Sequence, residues 1–221
     1  MSSHPVAFRE VRVDAGDGVV ALGFLALPEK PKGFVLFAHG SGSSRLSPRN
    51  HFVADALNRS NIATLRLDLL TPQEEAIDRR TAESRFDIAL LARRLVAATS
   101  WVREQRELRD YPIGYFGAST GAAAALVAAA RIPKEVTAVV SRGGRPDLAG
   151  DHLQKVRAPT LLTVGGADPK VLALNRRASA QMTCNREIVI VPDAGHLFEE
   201  RGALEEVAHL ARYWFGRYLQ K

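Results

Sequence analysis

Residues 112–131, PIGYFGASTGAAAALVAAAR, pass from a short apolar run into a long small-residue stretch through Gly117-Ala118-Ser119-Thr120-Gly121. PIGYFG (112–117) reads as a strand, and STGAAAALVAAAR (119–131) as a helix whose small side chains let it lie close on a sheet. A G-x-S-x-G sequence at such a junction marks a sharp strand-to-helix turn that exposes the serine. The serine takes a strained backbone there, and a side chain two residues before or after it would collide across the turn. Gly117 and Gly121 meet that need. Ser119 is thereby lifted clear of the sheet, and the positive end of the helix dipole faces any anion that forms on it.

Working outward, VAFREVRV and VVALGFLAL around Gly16-Asp17-Gly18 read as two strands joined as a hairpin. Five further apolar runs follow: GFVLFAHG (33–40), ATLRLDL (63–69), VTAVVS (136–141), TLLTVGG (160–166) and EIVIVPD (187–193). With PIGYFG they total eight strands. The near-continuous apolarity of the later six predicts strands covered on both faces, as in a parallel sheet. Between them, Ile88, Leu91, Leu95, Ala98 and Val102 recur at helical spacing and predict an amphipathic helix from about 82 to 107. A last helix over 204–219 carries Val207, Leu210, Trp214 and Leu219 on its apolar face. Alternating strand and helix give an α/β fold with right-handed crossovers. TPQEEAIDRR (71–80) reads as a polar, solvated loop. The chain of 221 residues can bury one sizeable core, so residues 1–221 are expected to form a single domain without internal repeats.

A serine hydroxyl is a weak nucleophile at neutral pH and needs a base, which in turn needs an orienting carboxylate. Asp168 follows TLLTVGGA and His196 follows EIVIVPDAG, each just past the C-terminal end of a strand, where distant residues converge in an open parallel sheet. His152 lies in a polar stretch, His209 inside the last helix, and His4 and His51 precede the serine, so His196 is the expected base. Asp147, after the preceding strand, is the alternative acid. Asp193, three residues before His196, fits a turn former.

An oxyanion site is offered by His39-Gly40-Ser41-Gly42-Ser43-Ser44 at the end of the third strand. The expected donors are the backbone amides of Ser41 and of Thr120, the residue after the nucleophile. His39 is a candidate substrate contact, though bonding to loop backbone suits it better. The loop lacks the third glycine of G-x-G-x-x-G and has no GK[ST], which argues against a nucleotide site. Arg45 and Arg142 fall near strand ends facing the proposed site and would suit an anionic substrate, although such arginines more often make surface ion pairs.

Thirty Lys and Arg against 24 Asp and Glu give a net charge of +6. The basic residues, only six of them lysine, are scattered among acids with no basic run or aromatic-interleaved patch. Nucleic acid is therefore not the expected partner. The one cysteine, Cys184, excludes an internal disulfide, and no ligand spacing for zinc occurs, so no metal is expected. The N-terminus lacks the pattern of a secretory leader, and no apolar run reaches the ~18 residues of a membrane span. A cytoplasmic protein, away from membranes, acting as a monomer or homodimer, is the expectation.

With Ser119, Asp168, His196 and the His-Gly loop placed, in the chain order Ser…Asp…His, the sequence resembles the α/β-hydrolase superfamily, and within it the small dienelactone hydrolase-like branch that carries no cap domain. The resemblance runs from the first hairpin to the last helix. It implies an eight-stranded, mostly parallel sheet with an antiparallel second strand, flanked by helices. It also implies serine-hydrolase chemistry on small carboxylic esters, lactones or thioesters through an acyl-enzyme, with no cofactor. Dienelactone hydrolases proper resemble a cysteine version of this elbow, so the serine at 119 argues against dienelactone as substrate. The segment HGSGSSRLSPRN also looks like that of hydrolase domains found beside phosphoribosyltransferase domains. The 142–159 connection is too short for a helical cap, which predicts an open site walled by the 71–80 segment and the His-Gly loop. A catalytically silent binding or regulatory module on the same fold is the alternative.

Overall fold

The computed structural model describes residues 6–220; His4 lies outside them. Eight strands form one sheet: β1 (Phe8–Asp14), β2 (Val20–Ala26), β3 (Gly33–Ala38), β4 (Ile62–Leu67), β5 (Ile113–Ala118), β6 (Val136–Arg142), β7 (Thr160–Gly165) and β8 (Arg186–Val191). Their order is β1-β2-β4-β3-β5-β6-β7-β8. β2 runs antiparallel to both β1 and β4, and every other neighbouring pair is parallel. The helices are α1 (Pro48–Asn58), α2 (Pro72–Thr81), α3 (Ile88–Glu104), α4 (Thr120–Arg131), α5 (Pro169–Gln181) and α6 (Ala203–Tyr218).

Because side chains alternate across a strand, each central strand feeds two apolar layers. Phe34, Leu36 and Tyr115 face α3 and α4, whereas Val35, Phe37, Phe116 and Val140 face α1 and α6. β3, β4, β5 and β7 are buried along their whole length, which is why their sequences read as unbroken apolar runs. β8 differs from the expectation of coverage on both faces. It is the edge strand, and Ile190 is 40% exposed. In α4, Ala122 to Ala129 are all buried, and small residues allow that helix its close seat on the sheet.

Two helical expectations need correction. The 71–80 segment is the helix α2, closed at its start by a capping box in which Thr71 Oγ1 accepts from Glu74 N–H and Glu74 accepts from Thr71 N–H. The T-P-Q-E sequence carries that signal, with proline at the first helical position. The helix expected over 82–107 begins only at Ile88. Ala82 is left-handed (φ 58°), a short 3₁₀ turn covers Ser84–Phe86, and Asp87 caps α3 by accepting from Leu90 N–H. Between β6 and β7 the chain forms only a 3₁₀ segment, Pro146–Lys155, so no cap covers the C-terminal rim of the sheet.

Candidate active site

Ser119 stands between β5 and α4 with φ 50° and ψ −121°, a strained conformation for a residue other than glycine. The turn is tight enough to exclude Cβ atoms on either side. A methyl at Gly117 would lie 2.4 Å from Ala122 Cα, and one at Gly121 would lie 2.3 Å from the Ala38 carbonyl oxygen. Backbone bonds pin the strained residue. Ser119 N–H donates to Arg142 O (3.2 Å), and Ser119 O accepts from Ala122 N–H and Arg145 N–H, both at 3.1 Å.

Asp168 and His196, the residues expected as acid and base, follow the ends of β7 and β8. Asp168 caps α5 by accepting from Val171 N–H (3.2 Å) through Oδ1, which turns Oδ2 toward His196. His196 Nδ1 lies 2.9 Å from Asp168 Oδ2. That bond assigns the proton to Nδ1 and leaves Nε2 with its lone pair. The two loops are held together by close backbone approach at Gly165, where a Cβ would meet Ala194 O at 2.2 Å, and by Ala167 N–H donating to Ala194 O (3.0 Å). Gly143 (φ 50°), one residue past β6, forms the floor beneath the imidazole: a methyl there would sit 3.0 Å from His196 O and 3.7 Å from Nδ1. No hydrogen bond joins the His196 ring to Ser119; its bonded partner is Asp168. Asp147, the alternative acid, is gripped by Arg145 through two bonds of 2.9 and 2.7 Å.

The loop after β3 turns at Gly40, with Ser43 N–H donating to Gly40 O (3.2 Å), and Gly40 packs against Ser119, a Cβ there lying 3.0 Å from Ser119 Cβ. Ser41 and Thr120 both line a cavity of about 390 Å³ beside the turn. Among the described residues neither amide is bonded to another backbone group. His39 also borders the cavity but has no ring nitrogen to spare: Nδ1–H donates to Gly40 O (2.9 Å) and Nε2 accepts from Leu69 N–H (3.0 Å). Burial pushes its pKa down, which keeps it neutral and suited to both bonds. It braces the loop, and the expectation of substrate contact is corrected accordingly.

Arg45 is likewise corrected. Its amide and Nη1 bond to Asp68 at 2.6 and 2.5 Å and its Nη2 reaches Glu10 at 3.0 Å, so its charge is already answered within the protein. Arg142 behaves differently and is nearly buried without such partners. The far wall of the cavity comes from α2 and the 3₁₀ turn after it, through Glu75, Asp78, Arg79 and Arg85, none of which was singled out from sequence. Asp78 is 2% exposed. It accepts from Arg85 N–H (2.9 Å) and Arg85 Nε (2.5 Å). Burial alone would raise its pKa, but those bonds outweigh burial and hold the carboxyl below its usual range. The capping box at Thr71 would have revealed the helix; the ion pair across the turn has no local sequence signature.

Several known proteins share these features. A dienelactone hydrolase from Anabaena variabilis has 54% identity, a TM-score of 0.95, and an alignment covering 98% of this chain and 100% of that one. A lid-less serine hydrolase from Xanthomonas campestris shares the fold at 22% identity, with a TM-score of 0.74 over 99% of this chain and 98% of its own. A Mycobacterium tuberculosis protein named a phosphoribosyl transferase is 57% identical over 211 residues, 96% of this chain but 46% of that protein. The chain thus spans about half the length of the curated relatives it matches. Residues 50–218 match the dienelactone hydrolase family, and with this sheet and elbow the chain belongs to that family.

Proposed function

We propose that this protein hydrolyses small carboxylic esters, or the related lactones and thioesters, through an acyl-enzyme on Ser119. The observation that carries the proposal is the 2.9 Å bond between His196 Nδ1 and Asp168 Oδ2, which leaves Nε2 free to take a proton, on the same rim of the sheet as the strained Ser119. His196 Nε2 accepts the Ser119 hydroxyl proton as Oγ attacks the ester carbonyl. The oxygen of that carbonyl becomes an anion stabilised by the Ser41 and Thr120 amides. The protonated imidazole gives its proton to the departing alkoxide, leaving the acyl group on Ser119. Water, deprotonated by the same imidazole, attacks the acyl carbon, and Ser119 recovers its proton as the acid leaves. Asp168 holds the imidazole tautomer throughout and stabilises its charged form.

The partner in this scheme is a small-molecule ester reaching an open rim; nucleic acid, membrane, metal and organic cofactor have no part in it, and a monomer or homodimer suffices. The phosphoribosyl transfer named for the mycobacterial relative belongs, in this proposal, to the part of that protein beyond the matched length. A cytoplasmic setting suits the lone buried thiol of Cys184, and among the described residues no helix is long and apolar enough to cross a membrane.

Labelling with a fluorophosphonate probe tests the assignment. The wild-type chain is expected to label at Ser119, and Ser119→Ala to lose labelling and about 10⁴-fold or more of its turnover of p-nitrophenyl butyrate while still folding. Full turnover in that variant removes the nucleophile from position 119. Absence of both labelling and turnover in the wild type favours a catalytically silent module.

A further inference from the structure

Arg142 closes β6 beside the nucleophile. It stands in register with Ala118, and its carbonyl accepts from Ser119 N–H at 3.2 Å. The next residue, Gly143, supports the His196 loop. Alternation along β6 sends Arg142 into the layer that holds Ala138 and Val140, between the sheet and α1. There it feels the like charge of Arg49, in the first turn of α1.

Arg142 is only 8% exposed, and no hydrogen bond or ion pair with a described residue engages its guanidinium. Nη1 is sealed from solvent without a partner. Arg49 Nε and Asn50 Oδ1, in the same turn of α1, are sealed and unpartnered too. Glu199 answers Arg49 from the outside, at 2.9 Å from Nη1, on a side chain that is 64% exposed. No described residue answers Arg142, whose pKa is driven down to about 10, chiefly by burial and then by Arg49. A buried cation without a counter-charge is strongly destabilising, and folded proteins rarely keep one. The amino end of α1 adds further positive potential at the same place.

We propose that Arg142, with Arg49 and the first turn of α1, forms an anion subsite that receives a carboxylate or phosphate carried by the ester substrate. The inference rests on the hydrolytic role of Ser119 and specifies the substrate class for it. The incoming anion supplies the missing counter-charge beside the nucleophile. A guanidinium suits both groups because its paired N–H donors match two oxygens of either. Because the carbonyl of Arg142 itself holds Ser119 N–H and the next residue, Gly143, supports His196, recognition of the anion is coupled to alignment of the ester carbonyl.

The test compares wild type with Arg142→Met on p-nitrophenyl butyrate, mono-p-nitrophenyl succinate and the p-nitrophenyl ester of 3-phosphonopropionate at low ionic strength. The wild type is expected to prefer at least one anionic ester by about tenfold in kcat/KM, and the preferred ester identifies carboxylate or phosphate. Arg142→Met is expected to reduce that preference by about tenfold. In anion-free buffer the variant should melt about 3 °C or more above wild type, because it removes an uncompensated charge. Succinate or inorganic phosphate should raise the Tm of wild type and leave that of the variant unmoved. Should Arg142→Met fail to fold, Arg142→Gln takes its place in both measurements. An equal ester preference in wild type and variant, or equal melting shifts with both anions, overturns the subsite. Loss of turnover on all three wild-type esters overturns the hydrolytic reading, and the melting shifts then decide the anion subsite alone.

Discussion

Asp168 uses its two carboxylate oxygens for two separate tasks. Oδ1 caps α5 through Val171 N–H, and Oδ2 holds His196 Nδ1 at 2.9 Å. The cap fixes the carboxylate before any substrate arrives, so the imidazole is oriented by secondary structure as much as by charge. A residue at 168 must therefore serve a helix terminus and the His196 imidazole together.

Asp168→Asn separates those tasks. Asparagine caps a helix about as well as aspartate, so the thermal midpoint should move little. Its amide no longer enforces the Nδ1–H tautomer, and ester turnover should fall by up to about 10⁴-fold. If Asp168→Asn keeps its activity while Asp147→Asn loses it, the acid belongs on the earlier strand end.

Gly121→Ala should be among the most damaging single-methyl additions in the chain. The new Cβ would lie 2.3 Å from Ala38 O and 2.4 Å from His39 O, both backbone atoms that can yield only by prying the end of β3 and its following loop from α4. Urea unfolding should show a loss of about 3 kcal/mol. Gly42→Ala, at a positive φ but with open space around it, should cost about 1–2 kcal/mol for conformation alone. Similar losses at both positions would count against the close approach at Gly121.

The wall helix α2 hangs on Asp78 and Arg85. Arg85→Ala leaves a carboxylate that is 2% exposed without its counter-charge and should destabilise by about 2 kcal/mol, raising KM for esters several-fold with less change in kcat. Arg79, whose side chain is 73% exposed and whose ion pair with Glu75 spans 3.7 Å, should tolerate alanine within about 0.5 kcal/mol. Denaturant titration and steady-state kinetics on the two variants decide this, and equal effects would dissolve the distinction.

His39 should make the fold acid-sensitive near neutrality. Burial holds its folded pKa below the ordinary 6.5, so the unfolded chain takes up a proton first as pH falls. Its contribution to stability is complete above about pH 6.5 and is lost progressively below that, down through the folded value. Thermal midpoints measured from pH 8 to pH 5 should fall less steeply in His39→Gln than in wild type. Parallel profiles would show that protonation of His39 is not the cause.

How much of this was legible beforehand differs from element to element. The central strands could be read because buried parallel strands need apolar side chains on both faces, the first two because they flank the Gly16-Asp17-Gly18 turn, and the elbow because its geometry admits only glycine at 117 and 121. Ser119, Asp168 and His196 could be singled out because parallel strands bring their C-terminal ends to one rim whatever the chain distance between them. The helix at 72–81 was marked by Thr71 and Glu74, though its polar composition resembles a loop.

What the order of residues determined, then, is whatever depends on local chemistry and period: the strands, the turn at Ser119, and the candidates Ser119, Asp168 and His196 at the strand ends. Tertiary structure decided which charges find partners. Arg45 and Arg142 look alike in sequence, each a basic residue within five positions of the end of an apolar run, yet Arg45 folds onto Asp68 and Glu10 while Arg142 is buried between sheet and helix with no counter-charge among the described residues. Electrostatic pairing acts through space over a few ångströms, between residues that can be tens of positions apart, and only the completed fold sets those distances.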